Sequence, residues 1–197
     1  MLPDTGPGDR IAAGTGHRTQ NIPADRRAWV RQQTRDGAVR LAGADPPVTI
    51  GLSGMAIGFD LWWAAAILEA GLRLWIAIPF EEQPHRFPAA ERREWERIRA
   101  LAEHEVVVGS LAGLTDPARG RRTNQLLAAR NQLMVHRADL LVCCWDPNRV
   151  EHCGTYQTIC MAHRRRVPVP GVHIDPFHQV VTRGLPQLVT AGGGKQP

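Results

Sequence analysis

The segment from residue 130 to residue 155 constrains the fold more than any other part of the chain. A predicted helix ends at Ala138-Asp139, an apolar run follows at residues 140–145, and Gly154-Thr155 opens the next helix. A continuous apolar run between two helices is typical of a strand that is buried on both faces of a parallel sheet. The turn after such a strand places backbone N–H groups and the positive end of a helix dipole at the carboxyl edge of the sheet. Anions such as the phosphates of a nucleotide bind at this edge.

The rest of the chain repeats this alternation of strand and helix. Apolar runs predict strands at residues 11–13, 48–52, 72–78, 105–108, 140–145 and 167–174. Helical patterns occupy residues 24–41, 59–70, 88–104, 122–137 and 154–163. A length of 197 residues suits one such domain. We therefore predict an α/β, Rossmann-like three-layer sandwich with a mostly parallel central sheet. We expect a disordered N-terminus over residues 1–9, a domain over residues 10–175 and a C-terminal extension over residues 176–197.

Composition narrows the classes of partner. The formal net charge is +5, and uncompensated basic clusters lie at residues 119–122 and 163–166, so a nucleic acid is possible, although a solvated surface is favoured. No apolar run approaches the roughly 20 residues that span a bilayer, and no secretory signal is recognisable. We expect a cytoplasmic protein. The four cysteines lack a zinc-binding spacing, and we predict no metal site.

Three strand-to-helix turns combine glycine with a hydroxyl residue. Glycine allows a close approach of the backbone to a ligand, and hydroxyl groups add hydrogen bonds to phosphate. Tight packing of a helix on its strand is the alternative reason for the same glycines. No third glycine follows Gly14 and Gly16 at the dinucleotide-binding spacing, so the standard NAD motif is absent. The ligand-binding candidates in these turns are Gly14, Thr15, Gly16, His17, Arg18, Ser53, Gly54, Met55, Gly58, Gly154, Thr155 and Tyr156.

Charged residues beside these turns are further candidates. Arg18 and Arg130 can each neutralise a phosphate group. The alternative for Arg18 is an exposed position in a loop, and the alternative for Arg130 is a cap at a helix C-terminus. Asp60 either stabilises the start of its helix or contacts a ribose or base. Glu81 follows the third strand, where it can bind ribose hydroxyls, act as a general base or remain solvated. Asp146 ends the fifth strand, and Asp60 and Glu81 are the candidates for catalysis.

Four motifs in a fixed order support a resemblance to a known group of proteins. They lie at residues 14–18 (Gly-Thr-Gly-His-Arg), at residues 53–60, at residues 78–83, and at Arg130-Asn131 with Gly154-Thr155 downstream. Over roughly residues 11–175 the chain resembles the SLOG superfamily, a Rossmann-like group that includes the LOG phosphoribohydrolases and the DprA/Smf proteins. The YpsA-like branch of bacteria and phages is the most similar part of it. The resemblance implies a sensor or binding protein with a nucleotide or nucleotide-derived (phosphoribosyl) ligand in the cleft and no other cofactor.

The same resemblance puts catalysis in question. In LOG enzymes a lysine follows the helix arginine, where this chain has Asn131, and Thr158 stands at the position of the catalytic glutamate. The alternative function is hydrolysis of an N-glycosidic bond of a nucleotide, with Glu81 or Asp60 as the acid. A second alternative is DprA-like binding of single-stranded DNA through the basic clusters.

The predicted helix over residues 59–70 indicates self-association. It is apolar around most of its circumference, whereas a helix that covers one side of a sheet needs only about a 100°-wide apolar stripe. Trp62 or Trp63 would be a typical interface anchor. We expect a homodimer or a larger homo-oligomer; the alternative is that the segment after Pro176 covers this helix.

Overall fold

The central element is a seven-stranded sheet in which six strands are parallel. A computed structural model describes residues 1–146, 153–165 and 170–187. The strand order is β4-β3-β2-β1-β5-β6-β7, and only β7 pairs antiparallel with its neighbour. The strands are β1 (Ile11–Gly16), β2 (Ile50–Ser53), β3 (Arg73–Ile78), β4 (His104–Val107), β5 (Leu140–Cys144), β6 (Gly171–Asp175) and β7 (Val180–Arg183).

Helices cover both faces of this sheet, because successive residues of each buried strand point to opposite sides. The helices are α1 (Arg27–Ala42), α2 (Phe59–Glu69), α3 (Ala89–Leu101), α4 (Asp116–Arg137) and α5 (Gly154–His163). Residues of α1, α2 and α3 share one apolar cluster with Ala12 and Ile76, and residues of α4 and α5 share another with Ala13 and Ala77. The predicted Rossmann-like α/β sandwich is therefore confirmed.

The topology defines where a ligand site belongs. The chain moves from β1 outward to β4 on one side, and then β5 returns to the other side of β1. In open α/β sheets, ligands bind outside the carboxyl ends of the strands at such a switch point. The carboxyl ends of β1 and β5 carry residues 14–18, which form a candidate motif of the sequence, and Asp146, which is a candidate ligand contact.

The structure differs from the sequence prediction at several element ends. Helix α4 begins at Asp116, six residues before the predicted start, with Thr115 as the N-cap residue and a proline in the first turn. A proline there is compatible with a helix because the first N–H groups have no intrahelical partner. Helix α3 ends at Leu101, since β4 already begins at His104. The antiparallel strand β7 was not predicted, and it lies within the predicted C-terminal extension.

The first residues of the chain contact the domain. Leu2 is 3% exposed and belongs to the cluster under α4, and Asp9 pairs with Arg73 of β3. These contacts lie within the nine residues for which the sequence predicts disorder. The predicted beginning of the last strand, residues 167–169, and the end of the C-terminal extension, residues 188–197, fall outside the described residues.

Helix α2 lies between two other helices. Its flanks contact α1 and α3, and Phe59, Trp63 and Ile67 on its inner face are fully buried. This position accounts for its apolar circumference within one chain. Among the described residues, no helix is long and apolar enough to cross a membrane.

Candidate functional site at the carboxyl ends of β1 and β5

The glycines of β1 have a packing role. A Cβ atom at Gly14 would overlap the indole of Trp63, and one at Gly16 would overlap the ring of Phe59. Both aromatic side chains belong to α2 and are completely buried. The two glycines therefore let α2 lie directly against β1, which is the packing alternative that the sequence left open.

The second turn is built against the first. Its Ser53 hydroxyl donates to the Asp60 carbonyl at 2.8 Å and accepts the Met55 N–H at 3.1 Å. Gly58 has φ of 92°, and a Cβ there would lie 2.5 Å from the Thr19 nitrogen and 2.6 Å from the His17 carbonyl oxygen. Only glycine fits this close approach in a left-handed conformation. The turns after β1 and β2 thus form one continuous surface.

A buried ion pair joins these two turns to α4. Asp60 accepts the Gly16 N–H at 3.2 Å through one carboxylate oxygen, and the other oxygen lies 3.3 Å from Nη1 of Arg130. The side chains are only 5% and 7% exposed. Burial raises the pKa of Asp60 and lowers the pKa of Arg130, while their mutual attraction opposes both shifts. The guanidinium occupies the space of a side chain at Gly54, so any larger residue there would displace Arg130 from Asp60.

The turn after β3 contributes an amide rather than the predicted carboxylate. The Gln83 side chain donates through Nε2 to the Gly54 carbonyl at 3.1 Å. Glu81 is instead 58% exposed and pairs with Arg99 of α3 at 2.9 Å. The structure therefore brings Gln83 to the second turn and directs Glu81 towards α3. The sequence contained Gln83 within a motif but gave no reason to prefer it over Glu81.

His17 connects β1 to the end of β5. Its backbone N–H donates to the Cys144 carbonyl at 3.0 Å, and its Nε2 accepts the Asp146 N–H at 3.0 Å. Because Nε2 is an acceptor, the proton of the neutral ring lies on Nδ1. His17 is 3% exposed and Asp146 is 4% exposed, so both serve to fix the turns. Arg18, the next residue, is exposed, and its charge acts on the Asp60–Arg130 pair.

The first turn of α5 is open. Cys153 is its N-cap residue, and the thiol accepts the Tyr156 N–H at 3.5 Å. Gly154 is exposed, and among the described residues a Cβ there would meet only Nδ2 of Asn131, at an ordinary 3.7 Å. Asn131 donates to the Gly154 carbonyl at 3.3 Å and so links α4 to this turn. Unlike the glycines of β1, Gly154 is not restricted to glycine by close packing within the described part of the chain.

Thr155 and Thr158 are buried behind this turn. Thr158, which the resemblance aligns with the catalytic glutamate of LOG enzymes, donates its hydroxyl hydrogen to the Gly154 carbonyl at 2.8 Å. It is completely buried, and its hydroxyl bonds to the preceding helical turn, as threonine side chains within helices can do. Thr15 of β1 is also buried, at 6% exposure.

The two basic clusters have different surroundings. Arg165 donates to the carbonyl oxygens of Val135 and Ala138, both at 2.7 Å, and so caps the end of α4. Arg121 and Arg122 are exposed on the first half of α4. In the cluster at residues 163–166, Arg165 therefore has a structural role, and residue 166 lies outside the described residues.

Comparison with known proteins yields structural neighbours only. The sequence matches no family model and no curated protein. Solved structures with a similar fold include DNA processing protein A (DprA) from Streptococcus pneumoniae, with 16% identity over 76% of this chain and a TM-score of 0.49. The molybdenum cofactor carrier protein from Chlamydomonas reinhardtii has 14% identity over 84% of this chain and a TM-score of 0.49. The chain spans 45% of the DprA chain and 75% of the carrier protein.

Proposed function

We propose that this protein binds a nucleotide or a nucleotide-derived, phosphoribosyl ligand at the carboxyl ends of β1 and β5, as a cytoplasmic sensor or binding protein of the YpsA-like type. The binding unit is the domain over residues 10–175. The observation that carries the proposal is the first turn of α5. It follows β5 at the topological switch point, and Gly154 is exposed there with no close packing contact among residues 1–146, 153–165 and 170–187.

The physical basis is the end of a helix. The first N–H groups of α5 have no partner within the helix, and the helix dipole concentrates positive charge at the same place. Gly154 and Thr155 supply N–H groups at this end, and the exposed Arg18 supplies a side-chain cation on the neighbouring turn. Together they suit the negative charge of a phosphate group.

The buried residues act by holding this surface in shape. Asp60 is engaged with the Gly16 N–H and with Arg130, so in this role it fixes the first turn rather than contacting ribose. Arg130 packs on Gly54, and Asn131 holds the Gly154 carbonyl. The ligand lies over the turns, and the Asp60–Arg130 pair lies beneath them.

Two substitutions of one residue test the proposal. Gly154→Ala adds a methyl group where space is available, and Gly154→Asp adds a negative charge at the same point. The methyl group meets no close contact among the described residues, and a carboxylate in the first turn stabilises a helix by about 0.3–1 kcal/mol. We therefore expect both variants to fold at least as stably as the wild type.

Their affinities for ligand should differ. We expect Gly154→Ala to retain binding of nucleoside monophosphates or NAD in calorimetry. Gly154→Asp should lose at least about tenfold in affinity, because two like charges would face each other in a partly desolvated site. Equal affinities for the Asp variant and the wild type would contradict the assignment of phosphate to α5.

A further inference from the structure

A second ordered polar group lies at the same edge of the sheet, just after β6. One carboxylate oxygen of Asp175 accepts the backbone N–H groups of Phe177 and His178, at 2.9 and 3.0 Å. The other oxygen lies 2.7 Å from Nδ1 of His178. The Asp175 side chain is 10% exposed, whereas that of His178 is 59% exposed. Asp175 thus fixes the imidazole through Nδ1, and the exposed side of the ring carries Nε2.

The pairing of strands places this group beside the start of α5. Ile174 is in register with Cys144, and the Trp145 N–H donates to the Ile174 carbonyl at 3.2 Å. Ile174 faces the cluster under α1, α2 and α3, so Asp175 faces the opposite side, which α5 covers. On that side the ring of Trp145 packs against Tyr156 in the first turn of α5, with centroids 6.0 Å apart. Asp175 follows Ile174 as Trp145 follows Cys144, so these two residues lie on neighbouring strands roughly 4.8 Å apart, and Trp145 in turn contacts the first turn of α5.

The electrostatic surroundings favour a charged imidazole. The hydrogen bond to Asp175 raises the pKa of His178, and the negative charge of Asp146 at the end of β5 adds to the effect. Burial alone would raise the pKa of Asp175, but the hydrogen bonds from His178 and Phe177 outweigh it and lower that pKa. On β7, Arg183 pairs with Val172 at the other end of the hairpin, away from His178. Two carboxylates stabilise an imidazolium here, Asp175 through its hydrogen bond and Asp146 through its charge.

We propose that His178, oriented by Asp175, is a phosphate-binding residue that donates from Nε2 to a phosphate group of the ligand held at the start of α5. This inference rests on the proposed function, because it assigns a second contact to the same phosphate-bearing nucleotide. Binding then favours the protonated imidazole, and affinity decreases as the pH rises through the His178 pKa. No sequence motif contains this residue, since the turn after β6 lies outside the motifs.

Nuclear magnetic resonance can test the two contacts separately. The backbone amides of Gly154 and Thr155 report on the start of α5, and the ring resonances of His178 report on the imidazole. Adenosine 5′-monophosphate and sulfate serve as probes, because sulfate does not change its charge near neutral pH. We expect both sets of resonances to shift with the same saturation curve, and we expect the apparent pKa of His178 to increase when either probe is bound.

Variants give the size of the effect. His178→Gln should weaken binding about three- to tenfold at pH 6 and should abolish the pH dependence of sulfate affinity, since a neutral donor replaces a charge-assisted one. His136→Gln, on the exposed last turn of α4, is the matched control and should bind as the wild type does. Asp175→Asn should lower the His178 pKa and weaken binding at neutral pH.

The outcomes separate this inference from the proposed function. Amide shifts at Gly154 and Thr155 without any His178 shift, or a His178→Gln variant with unchanged affinity, would overturn the assignment of His178 and leave the α5 site intact. A His178 shift without amide shifts would overturn the α5 site and keep His178 as an anion contact. The absence of both shifts would reject both.

Discussion

At the scale of single residues, the Asp60–Arg130 pair is a contact that the sequence does not predict. Each residue lies in a motif at the carboxyl edge, where the sequence allows a ligand contact or a role at a helix end. In the structure they face each other, 3.3 Å apart and almost fully buried. They are 70 residues apart in the chain, so no local pattern reports their contact. Mutual neutralisation explains how two charges can be buried beneath a turn.

Removing one member of the pair should be costly. Arg130→Met leaves the Asp60 carboxylate buried without its cation, and we expect a loss of about 3–5 kcal/mol in the free energy of unfolding at pH 7. Burial already raises the pKa of Asp60, and loss of the cation raises it further. The variant should therefore recover stability as the pH falls and Asp60 becomes protonated.

Urea denaturation at pH 7 and pH 5 measures this difference. The double variant Asp60→Asn with Arg130→Met is the control, since it leaves no buried charge, and it should be less destabilised at pH 7 than the single variant. A loss from Arg130→Met that does not depend on pH would contradict an unpaired carboxylate as the cause.

Thr158 leads to a prediction about activity. Its hydroxyl is engaged with the Gly154 carbonyl in a fully buried position, where it cannot serve as an acid. The two candidate replacements are also engaged, Asp60 with Arg130 and Glu81 with Arg99. We expect no phosphoribohydrolase activity on nucleoside monophosphates. Chromatography can measure the release of free base. A rate on the order of 1 per second would contradict this expectation.

At the scale of elements, the contact between α2 and the strands is the tightest constraint on the site. Trp63 lies where a Gly14 side chain would be, Phe59 occupies the corresponding place at Gly16, and Ile67 does so at Gly51. The first turn therefore has its shape because a helix with large apolar side chains lies directly behind it. This contact positions the N–H groups of the turn without any ligand.

Two substitutions of glycine by alanine should have opposite effects. Gly14→Ala forces its methyl group into the indole of Trp63, and overpacking of this kind costs about 1–3 kcal/mol of stability or more. Gly37→Ala, in the middle of α1, meets no atom within 4 Å, and it should stabilise the protein by roughly 0.5–1 kcal/mol. Thermal unfolding followed by circular dichroism compares them directly. A Gly14→Ala variant as stable as the wild type would show that α2 can move away from β1 freely.

The elements also show what the sequence could and could not predict. Apolar runs located all six parallel strands, because strands buried on both faces are continuously apolar. The sequence predicts a loop over the first six residues of α4, because the run at residues 111–120 contains Gly113, Pro117 and Gly120. Strand β7 escapes prediction because it is a short edge strand whose side chains are mostly exposed. The turn containing His178 lies outside the motifs, so the sequence does not predict the Asp175–His178 pair.

At the scale of the whole molecule, the packing of α2 bears on the predicted self-association. Within one chain, α1 and α3 account for most of the apolar surface of α2, and Trp63 is fully buried. Trp62 is half-buried under the guanidinium of Arg31, which lies 4.6 Å above its ring. It borders a groove of about 370 Å³ that α1, α2 and α3 form together.

The charges of this groove suit a second copy of the chain. Arg31 and Arg35 line it from α1, and Glu91 and Glu94 line it from α3. A two-fold axis through such a groove brings the arginines of one protomer towards the glutamates of the other, because the same surface serves on both sides. The predicted homodimer remains compatible with this arrangement, with Trp62 rather than Trp63 as the anchor.

Light scattering decides whether this association occurs. We expect a mass of twice the 21.8 kDa of one chain at micromolar concentration, and we expect Trp62→Glu to shift it to that of one chain while circular dichroism stays unchanged. Val39→Glu is the matched control, because Val39 is a 61% exposed residue of α1 that does not line the groove. A wild-type mass of 21.8 kDa across this range would exclude a stable dimer. The groove would then be an ordinary surface between three helices, and the ligand site at β1 and β5 would be complete within a single chain.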